Sequence, residues 1–400
     1  MNIEFYGHPY HSLDYHFYTK EELVTLFSTY TLENAINYID GLFAINIIYD
    51  DNEIWINDYY GFFPIFYNIV EKKVCIDFTK DMSLDVEPKY IDLCKKNIDI
   101  DLTSNFPIPR NQHIFFQNFI LLFKNEKFNI NRYRITPWKN WYVLPSGSIC
   151  KITKDLLYYY NYTIDTDFYP DDSINIFVKS IQTVAKNKKC LLSLSAGRDS
   201  RNVLSVLQHS EYQCLHTYTR GQQQEFVKLW KSDNINITYN ESDFLSMYPN
   251  IITSLNGMSN IYKLKDYYIS LQLYKNYDIV FSGLGDSWFT SYPVLLYTIR
   301  SETGVGHYFK YIANHINCFF APFNQKRMIS NLHIKKHYGP NTYDRNSLYY
   351  NILKKFNDKD LIELPFFNQY FQQYKKNNFL YNDINMKYKY VMDYIKYMKS

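Results

Sequence analysis

Several common signals are missing from this 400-residue chain. Its six cysteines, Cys75, Cys94, Cys150, Cys190, Cys214 and Cys318, lie far apart and never at C-x-x-C spacing. That argues against a zinc ribbon and suits buried thiols in a reducing compartment. No apolar run approaches the roughly 18 residues that span a bilayer, so no membrane insertion is expected. The leading MNIEFYGHPYHSLDYHFY has no basic stretch ahead of an apolar one, so no signal peptide is expected and the cytoplasm is the expected location. Charge of one sign is also missing. With 43 basic and 40 acidic residues the net charge is +3, too balanced for a nucleic-acid footprint, and nucleic acid is not an expected partner. Repeats, heptads and a Walker G-x-x-x-x-G-K-[ST] loop are absent too.

What is present is apolar mass, 46% of the chain, in a length that favours two domains over one core. The first 150 residues read mostly as β. In GLFAINIIYDDNEIWINDYYGFFPIFYNI (41–69), an apolar run, an Asp-Asp turn and a second run ending at Asp58 read as a hairpin. KKVCIDF (72–78) and GSICKI (147–152) read as further strands, and EELVTLFSTY (21–30) and YIDLCKK (90–96) as short helices. The Asp-rich, Pro-containing stretch 161–174 reads as a linker.

Beyond it, helices are expected at 174–187, 200–209, 224–232, 242–255 (with Pro249 inside) and 267–277. Strands are expected at 190–195, 214–219, 236–240 and 278–283. Strands alternating with helices imply right-handed crossovers and a parallel sheet. The fold class is therefore α/β, with domains at 1–160 and 172–400.

LLSLSAGRDSRNVLSVL (191–207) carries the clearest chemistry. A buried strand breaks into small polar residues and resumes as a helix. Such a turn aims backbone N–H groups and a helix N-terminus at an anion. Ser195 and Ser200 offer hydroxyls, and Gly197 permits close approach. Asp199 suits a phosphate only through Mg²⁺. The plainer alternative is that Asp199 or Ser200 caps the helix and Gly197 merely turns the chain.

SAGRDS resembles the S-G-G-x-D-S pyrophosphate loop of the PP-loop ATP pyrophosphatases, and the whole is similar to the asparagine synthetase family. Residues 41–67 resemble that family's G-x-F-A and R-D-x-x-G-x-x-P-L-Y-Y segments through Gly41, Phe43, Ala44, Asp58, Gly61, Pro64 and Tyr67. LPSGSICKI (144–152), FSGLGDSWFTSY (281–292) and ELPFFNQYF (363–371) resemble L-P-P-G-x-x-L, T-G-E-G-A-D-E-L-F-G-G-Y and V-P-F-L-D, in the same order.

The resemblance implies an N-terminal Ntn-like α+β sandwich of the glutamine-amidotransferase type, followed by a parallel-sheet, HUP-like synthetase domain. It implies ATP and Mg²⁺ as cofactors. Ser195, Ala196, Gly197, Asp199, Ser200, Ser282 and Gly283 would hold the nucleotide. Asp199 and Asp286 would hold the metal, and Lys389, in KYKYVMDYI, would steady charge on an acyl-adenylate or else be an ordinary helix lysine. The implied activity is an AMP-forming carbon–nitrogen ligase that joins a small-molecule or peptide carboxylate to ammonia or an amine.

Four departures shape that expectation. Position 2 is Asn rather than the thiol nucleophile of glutamine-hydrolysing members, so no glutaminase is expected. Ala196 replaces Gly, Leu284 replaces the Glu or Tyr that handles the nucleophile's proton, and Asp286-Ser287 replaces Asp-Glu. Glutaminase-free relatives include β-lactam synthetases and lasso-peptide cyclases, which suggests antibiotic or other secondary-metabolite biosynthesis, with a partner protein or a homodimer. Amidation of a surface-polysaccharide sugar, a degenerate nucleotide- or partner-binding scaffold, and a sulfur-transferring or tRNA-modifying PP-loop enzyme are the other readings. The last is disfavoured by the missing C-x-x-C pair and basic surface. Arg198 and Arg201 read as exposed helix-start arginines or as phosphate or carboxylate partners. His8, His11 and His16 read as surface histidines.

Overall fold

The computed structural model describes residues 1–50, 52–95, 134–162, 173–195, 197–218, 235, 240–258, 268, 271–283, 306–328, 348–358 and 384–400. The expected helix at 224–232, the strand at 236–239 and the motif residues Ala196, Leu284, Asp286 and 363–371 lie outside these. So does most of the 161–174 linker.

The N-terminal part is antiparallel. β1 (Asn2–His11), β2 (Ile39–Tyr49), β3 (Asn52–Asn57), β7 (Ser148–Ile152) and β8 (Leu157–Asn161) form one sheet in the order β1-β2-β3-β7-β8. The hairpin read from the Asp-Asp turn is β2–β3, with Asp50 at φ 49°. A second sheet joins β4 (Phe66–Asn68) to β5 (Lys73–Cys75) and β6 (Trp141–Val143).

Period-2 alternation sends β2 and β3 side chains to two different cores. Phe43, Ile45, Ile47, Ile54 and Ile56 pack under the helices Lys20–Thr29 and Leu32–Asn37 with Leu23 and Ile36. Ala44 and Trp55 face the other way, with Phe63, Ile65, Tyr67 and Leu144. Burial on both faces explains why β2 reads as a nearly unbroken apolar run. The helix Lys20–Thr29 begins with a capping box between Thr19 and Glu22.

The motif residues of this part tie themselves together. The buried Asp58 carboxylate accepts N–H bonds from Tyr60 and Phe62 (3.0 Å each) and from Phe63 (2.7 Å). Its carbonyl accepts from Gly61 and Gly147. The Asn57 side chain bridges to the Pro145 carbonyl and the Ser148 amide. The two segments around 58 and 147 thus close one knot.

The later part holds a parallel sheet of β9 (Lys189–Ser193), β10 (Cys214–Tyr218), β11 (Ile279–Ser282) and β12 (Phe319–Phe320), in the order β10-β9-β11-β12. The helices Ser173–Ala185, Arg198–Gln208 and Leu348–Lys355 pack against one another. The helix Ile384–Lys399 packs on Pro88–Lys95 and on Glu241–Ser254. The expected helix at 267–277 is described as helical at 268 and 271–274.

The two parts share a continuous core, in which Tyr10, Phe62, Phe66, Phe78 and Trp138 join the residues around the parallel sheet. Polar ties cross the same seam. The buried Lys310 ammonium meets Asp77 Oδ1 at 2.6 Å and the Ile76 carbonyl. Asp40 Oδ2 accepts from the Lys326 amide (2.8 Å), and Arg327 Nη1 donates to Ser12 O (3.2 Å) and Tyr15 Oη (3.1 Å). No helix among the described residues is long and apolar enough to cross a membrane.

Candidate functional site

In the parallel sheet, β10 lies on one side of β9 and β11 on the other. The chain leaves β9, crosses to β10, and later returns to the opposite side as β11. The carboxyl ends of β9 and β11 therefore flank a topological switch point, the place where open parallel sheets form a ligand crevice. The SAGRDS turn follows β9, and Gly283 follows β11.

These two ends touch. Ser282 pairs with Ser193 in register. A Cβ built on Gly283 would stand 2.3 Å from the Ser200 amide nitrogen and 2.7 Å from the Asp199 carbonyl carbon. Only glycine lets the strand end come so near the first turn of the next helix. The two stretches, about 80 residues apart in sequence, thus form one surface.

The turn has its own hydrogen-bond order. Ser200 Oγ donates to Ser195 O (2.9 Å) and accepts from Ser195 N (3.0 Å). Its single hydrogen is thereby used, so the 3.0 Å contact between the two hydroxyls has Ser195 Oγ as donor. Ser195 Oγ also accepts from Gly197 N (3.2 Å). Ser200, 1% exposed, fixes the shape of the turn. Ser195 is half-buried, and its hydroxyl hydrogen can swing to a ligand at the cost of one bond. The sequence treats the two serines alike; the structure gives them different jobs.

The cap is Gly197, at φ −82° and ψ 171°, with no side-chain cap bond. Neither Asp199 nor Ser200 is the cap, so the plainer reading of the motif does not hold in that form. Asp199 stands half-buried on the first turn. A helix start whose cap residue brings no acceptor suits an anion.

Arg201 departs from the expectation of an exposed side chain. It is 0% exposed, among the largest fully buried side chains described. The signal was in the sequence: VLSVL follows without a charged residue, so this helix is buried nearly all round. The residue closes the first turn of the helix, one position beyond Ser200. Lys389 lies on the helix Ile384–Lys399, whose described ties run to Trp138 through Tyr394 Oη (3.1 Å) and to the helix Pro88–Lys95.

Asp58 and Asp40 are the described acids that burial pushes upward. Burial pushes Asp58 up to about 7 against its three N–H bonds, and Asp40 up to about 6 against Lys326 and Arg327. Both belong to the antiparallel part and its seam, and they hold structure rather than line the crevice.

No protein-family model matches the chain, and no curated protein is significantly similar to it.

Proposed function

We propose that the crevice between β9 and β11 binds the phosphate tail of MgATP, and that the chain is an AMP-forming carbon–nitrogen ligase of the asparagine synthetase type without glutaminase. The observation that carries this reading is the contact of Gly283 with Ser200 at a topological switch point. It brings together the two stretches that resemble that family's nucleotide motifs.

In this reading the antiparallel part is a degenerate Ntn-like domain serving as a platform, and residues 172–400 form the PP-loop domain. The amide groups of the first turn and Ser195 Oγ would bind the pyrophosphate, which carries growing negative charge as it leaves. A substrate carboxylate oxygen attacks the α-phosphorus and pyrophosphate departs. An amine then attacks the acyl carbon, and AMP departs with the electron pair of the acyl–oxygen bond. Asp199 is a hard oxygen donor on the first turn and fits Mg²⁺, as does Asp286 by its place in the motif. Bound there, Mg²⁺ would neutralise phosphate charge. With Leu284 in place of an acid or base, the amine's proton must pass to another group or to water. A peptide or small-molecule carboxylate with its own amine suits the missing glutaminase.

The test is exchange of labelled pyrophosphate into ATP across a panel of carboxylates and peptides, alongside calorimetric titration with MgATP. Carboxylate-dependent exchange supports the ligase. Binding of MgATP without exchange in any member of the panel favours a nucleotide-binding scaffold, a reading supported by the way both serine hydroxyls close the turn internally. Absence of MgATP binding overturns both.

A further inference from the structure

In the sequence His11 and His16 read as surface histidines, without a Cys or carboxylate partner at ligand spacing. The fold supplies one. β1 ends at His11, and the chain doubles back at once. His11 N donates to His16 O (2.8 Å), Tyr15 N donates to His11 O (2.9 Å), and Tyr10 bridges Phe17. Tyr15 takes φ 61° inside this reversal. The two imidazoles are thereby set across from each other, 5.2 Å between ring centres and 14° from parallel.

Asp14 sits in the reversal with Oδ2 3.3 Å from His11 Nδ1. One donor atom from each of His11, Asp14 and His16 falls within 4.8 Å of the others. On the far side, Glu22 Oε1 stands 3.7 Å from His16 Nε2, while Glu22 Oε2 accepts from Thr19 N.

We propose that His11, Asp14 and His16, with Glu22 at its edge, form a binding site for a divalent transition-metal ion of the zinc class. Two imidazoles and a carboxylate favour zinc, cobalt, nickel or copper over magnesium or calcium, which take all-oxygen shells. Around a tetrahedral ion with bonds of about 2.0–2.1 Å, donors stand about 3.3 Å apart, so side-chain rotation of roughly 1–2 Å closes the set. The ion replaces the long bonds that His11 Nδ1 accepts from Leu13 N (3.4 Å) and Asp14 N (3.2 Å). Asp14 and His16 are exposed, which gives an ion a way in and leaves room for a water.

The backbone of the site is held from outside as well. Arg327, from the segment after β12, bonds Ser12 O and Tyr15 Oη on the same reversal. An ion that fixes the reversal also fixes the acceptors of Arg327, and so clamps the seam between the antiparallel and parallel parts. The site shares no residue with the crevice between β9 and β11.

The experiment is titration of the full chain with Co²⁺, read by visible absorption, and with Zn²⁺ as competitor. The variants Asp14→Asn and His16→Gln change exposed side chains and leave the fold intact; His209→Gln is the control. The expected result is one Co²⁺ per chain, displaced by Zn²⁺, with affinity lowered at least about tenfold by either variant and unchanged by the control. Zn²⁺ raises the melting temperature of the parent chain and not of the double variant. Equal binding by parent and double variant overturns the proposal, as does a thiolate-to-cobalt charge-transfer band that places the ion on cysteine, or no binding at all.

Discussion

The backbone of Gly283 lies so close to Ser200 that a Cβ on the glycine would be 2.3 Å from the Ser200 amide nitrogen. The neighbour is backbone at the start of a buried helix and cannot swing aside. Gly283→Ala must push β11 away from the helix Arg198–Gln208, at a cost of about 3 kcal/mol. Gly197→Ala is the contrast, because among the described residues its Cβ meets only Ser195 Oγ, at 3.1 Å, and its φ of −82° suits any residue. That change costs about 1 kcal/mol or less, chiefly as a poorer cap. Urea unfolding of the two variants gives the comparison. Equal stabilities would mean that the two strand ends are not held in this contact.

The division of labour between Ser195 and Ser200 gives a second expectation. Ser200→Ala leaves the Ser195 amide and carbonyl without their bonds to Oγ, and costs about 1–3 kcal/mol. Ser195→Ala removes a hydroxyl whose hydrogen is available to a ligand, and costs only about 1 kcal/mol. If the crevice binds MgATP as proposed, Ser195→Ala weakens that binding about tenfold or more while the fold persists, since a hydrogen bond to a charged group contributes about 1.5–3 kcal/mol. Paired calorimetry and thermal melts measure both quantities. A Ser195→Ala chain that binds MgATP as the parent does removes this hydroxyl from the site.

Much of the scaffold was readable because single elements announce themselves. The β2–β3 hairpin shows in its two apolar runs and Asp-Asp turn, and β9 shows as an apolar run ahead of a small-residue turn. β1 was not readable, because Gly7 and Pro9 interrupt NIEFYGHPYH. Its place at the sheet edge explains why a proline is tolerated there. β8, LYYYN, has no alternation to read. The site was legible as residue types, but the internal use of the Ser200 hydroxyl depends on turn geometry that composition does not encode. Asp14 escaped for a similar reason, since its partnership with His11 and His16 exists only once the chain reverses.

Lys310 offers a test of the seam. Its ammonium is 1% exposed and is held by Asp77 Oδ1 and the Ile76 carbonyl, while Asp77 also accepts from Asn256 Nδ2 (3.0 Å). Lys310→Met leaves the Ile76 carbonyl and the inner edge of Asp77 without their cation, and destabilises by about 2–4 kcal/mol. Asp77→Asn alone leaves a buried ammonium short of its counter-charge and costs a similar amount. The double change costs less than the sum, with a coupling of about 1–3 kcal/mol. A double-mutant cycle by urea unfolding reads that coupling, and strict additivity would show that the contact carries no energy.

Asp58 and Asp40 set a pH dependence whose sign follows from their burial. Both carboxyls titrate higher in the folded chain, at about 7 and about 6, than the value of about 3.9 of an unfolded chain. Between about pH 4 and 7 the folded chain therefore holds protons that the unfolded chain releases. Their contribution to stability is whole below about pH 4 and is lost as the pH rises through 6 and then 7. Lys326, lowered to about 8 by burial, acts in the opposite sense above that pH, so the informative window ends there. Asp58→Asn is less stable than the parent at pH 5, by about 1–3 kcal/mol, because an amide cannot accept at both Oδ positions. It also loses less on moving to pH 8, because the titrating proton is gone. Urea midpoints of parent and variant at pH 5, 6, 7 and 8 measure the difference. Parallel curves would show that Asp58 keeps its charge throughout, with its three N–H bonds outweighing burial.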